Sequence, residues 1–116
     1  MKYTIQKSKY SDGSPILTIS FSDTGADVLL NQFFMSDGED FHAEIISILH
    51  DVINEKNDEA IFSGDAFEVD INKETCTISS DLLSNSTPCV LATYELYSAI
   101  LTWQKELSIF NNDMIK

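Results

Sequence analysis

The chain has 116 residues and a mass of 13.0 kDa, with 19 carboxylates against seven lysines, no arginine and a formal net charge of -12 at pH 7. A compact body this acidic repels nucleic acid and anionic membrane surfaces, and it attracts cationic proteins over long range. The chain is 43% apolar, and its seven Phe, four Tyr and one Trp sit in periodic segments, which excludes a disordered tract and fits one domain spanning residues 1–116.

Tyr3-Thr4-Ile5-Gln6-Lys7 alternates and predicts a strand. The turn cluster Ser11-Asp12-Gly13-Ser14-Pro15 follows, and Ile16 to Ser22 alternates again with Leu17, Ile19 and Phe21 on one face, which completes a hairpin. Asp23-Thr24-Gly25 ends it. Ala26 to Met35 then predicts a short apolar helix carrying Val28, Leu29, Leu30, Phe33 and Phe34.

Ser36-Asp37-Gly38-Glu39 fits the S-x-x-E capping box, with Ser36 as cap and Glu39 reaching back. Phe41, Ile45, Leu49, Val52 and Ile53 recur at helical spacing to about Glu55, and Asn54 to Glu59 is a polar exit. Ala66 to Ile71 alternates strictly, Asn72-Lys73-Glu74 turns, and Thr75 to Ser79 returns, a second hairpin. After a loop over Ser84 to Thr87, Thr87 is expected to cap a last helix beginning at Pro88 and ending near Leu107, with a frayed tail over 111–116. The order β-β-α-α-β-β-α predicts an α+β fold, in which the two hairpins join as one antiparallel sheet of about four strands with helices on one face.

Little in the chain has the pattern of catalytic machinery. His42 and His50 stand eight residues apart, which is not the spacing of a zinc helix, and Phe41-His42-Ala43-Glu44 is not HExxH. His50 beside Asp51 could serve as a general base, but both histidines also fit as polar neighbours of the apolar stripe. Carboxylates cluster at Asp37, Glu39 and Asp40, at Asp58 and Glu59, and at Asp65, Glu68 and Asp70. Asp37 to Asp40 lacks the alternate-position oxygen ligands of an EF-hand, and acidic residues at a helix start already answer the macrodipole. Phosphate-binding glycine loops, zinc spacings and basic-aromatic surfaces are absent, so no cofactor, metal or nucleic-acid site is expected.

Glu68 and Asp70 share the polar face of their strand, where they would present a carboxylate row on the open side of the sheet. The last helix is apolar over more than one stripe. It is expected to pack centrally, unless Tyr97 and Trp103 are kept for a partner. Cys76 and Cys89 lie in apolar neighbourhoods and are expected as buried free thiols; a disulfide would require the fold to bring them together. The sequence MKYTIQKSKY contains no apolar stretch suited to a signal peptide, and no apolar run approaches the roughly 20 residues of a membrane span. A cytoplasmic protein is expected.

The N-terminal hairpin, the paired helices through Phe41-His42-Ala43-Glu44-Ile45-Ile46, the segment Phe67-Glu68-Val69-Asp70-Ile71 and the long closing helix after Pro88-Cys89 resemble the small acidic immunity proteins of bacterial contact-dependent growth inhibition and related polymorphic toxin systems. The same order is similar to a family of small bacterial proteins that includes YacL. The first resemblance implies a non-enzymatic protein that binds one cognate toxin C-terminal domain, which in such systems is often a nuclease with a cationic surface. Its partner contacts are expected at Glu68 and Asp70, with Asp37, Glu39 and Asp40 as a second patch. The alternatives are a YacL-like housekeeping interaction protein, self-associating through its apolar last helix, a small carboxylate-dependent enzyme, and a nucleic-acid mimic that blocks a DNA-binding protein, which would require carboxylates spaced like phosphates.

Overall fold

The computed structural model describes residues 2–22, 27–80 and 87–115. Alternation at the N-terminus becomes a two-stranded hairpin, β1 (Tyr3–Lys9) against β2 (Pro15–Phe21), in register from Tyr3 opposite Phe21 to Lys9 opposite Pro15. Its turn closes through the Gly13 amide on the Tyr10 carbonyl at 2.9 Å, and Gly13 takes φ +88°, a conformation that costs glycine little. Asp12 accepts from the Ser14 amide and hydroxyl, and the hydroxyl chiefly holds its carboxyl below the ordinary value. The expected stop at Asp23-Thr24-Gly25 lies outside the described residues.

Helix α1 (Asp27–Met35) buries Leu29, Leu30, Phe33 and Phe34 in the same core as Leu17, Ile19 and Phe21 of β2. The single helix expected after it is instead two, α2 (Asp37–Asp40) and α3 (His42–Ile53), separated at Phe41. The Phe41 ring lies 5.9 Å from that of Phe62, and its backbone, at φ -125° and ψ 21°, leaves the helical region. Ser36 does not cap. Its hydroxyl donates to the Gln32 carbonyl at 2.6 Å, because α1 runs to Met35 and leaves a last-turn acceptor one turn back.

Four strands form the main sheet: β3 (Glu59–Ser63), β4 (Glu68–Asn72), β5 (Thr75–Ser79) and β6 (Cys89–Ala92), all antiparallel and in chain order. The α+β class, the element order and the four-stranded antiparallel sheet with helices on one face are as expected, but the sheet's membership differs. The N-terminal hairpin stays a separate sheet, and the second hairpin gains β3 on one side and β6 on the other. Pro88 therefore precedes a strand, not a helix. Cys89 and Leu91 alternate with Val90 and enter the core opposite Ile78 and Cys76, so period two prevails over the helical signal.

Helix α4 begins at Thr93 and runs to Ile115, well past Leu107. Fully buried Thr93 ties that start to the β4–β5 turn: its amide donates to the Glu74 carbonyl at 3.0 Å and its hydroxyl to the Asn72 carbonyl at 2.7 Å. The segment from 111 through Ile115 is helical and Asp113 pairs with Lys7 of β1 at 3.1 Å, while residue 116 lies outside the described residues.

One core results. The inner sheet residues Phe62, Val69, Ile71, Cys76, Ile78, Cys89 and Leu91 join Ile45, Leu49 and Val52 of α3 and Leu96, Ala99, Ile100, Trp103 and Leu107 of α4. Edge-on aromatic pairs, Phe33 with Phe67 and Phe34 with Trp103, connect the N-terminal layer to it. Among the described residues, no helix is long and apolar enough to cross a membrane.

Candidate interaction surface

Among the described residues, α3 and α4 pack on the inner side of the main sheet and leave its other side open, and alternation decides what that side carries. Glu59, Ile61 and Ser63 of β3, Glu68, Asp70 and Asn72 of β4, Thr75, Thr77 and Ser79 of β5, and Val90 and Ala92 of β6 point outward. The register sets Ile61, Asp70, Thr77 and Val90 in one row across four strands and Ser63, Glu68 and Ser79 in the next. The first row thus places a carboxylate and a hydroxyl between two apolar side chains, each 63% exposed.

None of the strand residues is Lys, Arg or His, so nothing within the sheet neutralises Glu59, Glu68 or Asp70. A shallow groove of about 520 Å³ runs along the β3 side of this face, lined by Glu59, Ala60, Ile61, Asp70, Ile71, Asn72 and Thr77. An aliphatic stem ending in a cation suits such a lining: the stem covers Ile61 and the charge reaches Asp70.

Of the carboxylates expected to meet a partner, Glu68 and Asp70 lie together on this exposed face. Glu39 and Asp40 are exposed on α2, where partial burial first, and the neighbouring Asp40 charge second, push the Glu39 carboxyl above its ordinary value against the opposing pull of His42. Asp37 is a correction. It is 1% exposed and points inward, accepting the amides of Asp65 at 3.2 Å, Ala66 at 3.1 Å and Phe67 at 2.8 Å. It therefore holds the β3–β4 loop and is closed to a partner. Gly64 permits that approach, since a Cβ there would stand 2.6 Å from the Asp37 carboxyl carbon.

The histidines lie on the α4 side. Nδ1 of His42 is 2.9 Å from Nε2 of Gln104, and the His50 ring tilts against Tyr97 with centroids 6.4 Å apart. His50 Nδ1 stands 3.6 Å from the Asp51 carboxylate, beyond hydrogen-bond reach, so the side chain next to it does not orient it as a base. Trp103 is wholly buried, as central packing requires, whereas Tyr94, Leu101 and Ile109 of α4 are exposed. Cys76 and Cys89 are free buried thiols on adjacent strands; burial, then the neighbouring Cys89, pushes Cys76 up to about 12. Among the described residues, no group of three or more His, Cys, Asp or Glu side chains is placed to hold a metal ion.

Sequence reasoning found β4's polar face and missed both edges, because β3 and β6 lacked its strict polar alternation. Glu59 falls in the expected polar exit and Val90 in the expected last helix, while Ile61 belongs to no expected element. The signal was available in Ala60-Ile61-Phe62 and Cys89-Val90-Leu91, short apolar runs of strand length. Comparison with protein-family models, curated proteins and solved structures gives no match for this chain.

Proposed function

We propose that this protein is an immunity-type binding protein: it neutralises a cognate cationic toxin domain, a nuclease, by covering that domain's substrate-binding surface with the open face of its main sheet. The observation that carries the reading is the uncovered row Ile61–Asp70–Thr77–Val90, flanked by Glu59 and Glu68 and free of any cation within the strands. Apolar side chains supply desolvated contact, and the carboxylates pair with the lysines and arginines a nuclease uses to hold phosphates. A net charge of -12 steers such a partner into encounter, which is where most rim carboxylates, Glu39 and Asp40 included, exert their effect. The protein itself performs no chemistry in this scheme and acts in the cytoplasm.

The test is affinity capture from the source bacterium at low and then moderate salt, followed by activity assay of what is captured. A basic domain held in a 1:1 complex that abolishes its nuclease activity supports the proposal, and recovery of only a housekeeping protein or of the chain itself contradicts it.

A second reading is favoured by a different surface. Tyr94, Leu101 and Ile109 leave an exposed apolar strip along α4 that suits the self-associating, YacL-like alternative. A concentration-dependent dimer that Leu101→Glu abolishes would favour it.

A further inference from the structure

The unguarded edge of the main sheet lies next to the acidic groove, and the hairpin fixes which backbone groups it offers. The Gly64 amide donates to the Phe67 carbonyl at 2.9 Å, so residues 64 and 67 are a hydrogen-bonded pair. Antiparallel alternation then makes Phe62 with Val69, and Ala60 with Ile71, hydrogen-bonded pairs as well. The N–H and C=O groups of Glu59, Ile61 and Ser63 consequently point away from β4, toward the side on which no described strand pairs with β3.

Natural edge strands are blunted by lysine, proline, bulges or inward charges. β3 has none of these: its register against β4 is continuous, its residues are Glu59-Ala60-Ile61-Phe62-Ser63, and its only charge lies at one end. Among the described residues, its shortness and the terminal Glu59 charge are its safeguards.

We infer that β3 accepts an added strand, and that the occupant is an extended basic segment of the partner; this rests on the reading of the sheet face as a surface for a cationic protein. Geometry links the edge to the carboxylates. Strands lie about 4.8 Å apart, so a residue on the added strand opposite Ile61 is roughly 10 Å from Asp70, two strands in. A lysine or arginine there lays its stem over Ile61 and brings its charge to Asp70, with Glu59 beside it in the same groove. Main-chain bonds to Glu59, Ile61 and Ser63 supply affinity, and alternate basic side chains supply selectivity. Charge selects this occupant over a second copy of the chain, because two bodies of -12 each repel when brought edge to edge.

The probe is a blocked peptide of alternating lysine and valine, added to the labelled protein at low salt, with amide exchange and binding followed residue by residue. The expected result is slowed exchange at Ile61 and Ser63, binding that weakens as salt is raised, and a loss on the order of tenfold both for Ser63→Pro and for the peptide N-methylated along one edge. Ser63→Pro removes an outward donor and leaves the ladder to β4 and every carboxylate in place. Should that variant misfold, the N-methylated peptide gives the same reading on the intact protein. Binding that Asp70→Lys abolishes but neither backbone modification changes would overturn strand addition while leaving the electrostatic reading of the face intact. No binding would overturn strand addition outright. Protection of Ile61 and Ser63 without peptide, strengthening with salt and protein concentration, would assign the edge to a second copy instead.

Discussion

Asp37 shows how one side chain can be acidic without being available. Its carboxylate lies within the fold and accepts three consecutive loop amides. Removing it strands these donors, the buried Phe67 amide among them, so Asp37→Ala should lower stability by about 3 kcal/mol in urea unfolding. Gly64→Ala intrudes on the same carboxyl, and the two changes should be strongly non-additive in a double-mutant cycle, since Asp37 is the group that the new Cβ meets. Cys76 makes a second residue-level prediction. Its thiol is raised in the folded state from an ordinary value of 9.0 to about 12, chiefly by burial. The folded form therefore binds the proton more tightly than the unfolded form: the contribution to stability is complete below about pH 9 and is lost as pH climbs toward 12. Iodoacetamide at pH 8 should leave Cys76 unmodified until denaturant is added, as followed by mass spectrometry.

At the scale of elements, the chain's periodicities were readable wherever one competing signal was absent. β1, β2, β4, β5 and α1 follow their alternation or helical spacing to within a residue or two. Misreadings arose where two signals overlapped. Thr87-Pro88 has the pattern of a helix start, yet pairing beside β5 holds Cys89–Ala92 in a strand, and only Thr93, bonded to Asn72 and Glu74, lets the helix begin. Such a long-range anchor leaves no local trace. The candidate face was half legible for the same reason: Glu68 and Asp70 come from one strand's own alternation, while their neighbours Ile61 and Val90 come from sheet order. Helix α4 packs through Trp103, whose indole nitrogen is buried without a hydrogen-bond partner among the described residues. Trp103→Phe should accordingly cost less than about 1.5 kcal/mol, whereas Trp103→Ala should cost about 3–5 kcal/mol, both by denaturant midpoint. The end of α3 carries Glu55 at φ 62°, with the Lys56 amide on the Asp51 carbonyl and the Glu55 amide on that of Val52, an arrangement glycine adopts more readily. Glu55→Gly should raise the melting temperature despite the loss of its exposed pairing with Lys73.

For the whole molecule, the balance between net charge and local surface sets behaviour. A charge of -12 spread over a body 44 × 32 × 26 Å makes association with a cationic partner fast at low salt. On the proposed reading, the rate constant should fall steeply as ionic strength rises, while dissociation, which that reading assigns to contacts at Ile61, Asp70 and Val90, should change much less. Glu39→Lys with Asp40→Lys should act mainly on association, and Glu68→Lys with Asp70→Lys on both rates. One measurement tests the proposed function: titration of the nuclease activity of the basic domain that the proposal expects to be captured, with the wild-type protein and with the Glu68→Lys, Asp70→Lys variant, both checked for native melting. The account predicts stoichiometric inhibition by the wild type and at least about a hundredfold loss of inhibitory affinity in the variant, the scale of two desolvated charge pairs. Equal inhibition by both would contradict it, and the open sheet face would not be the surface that binds.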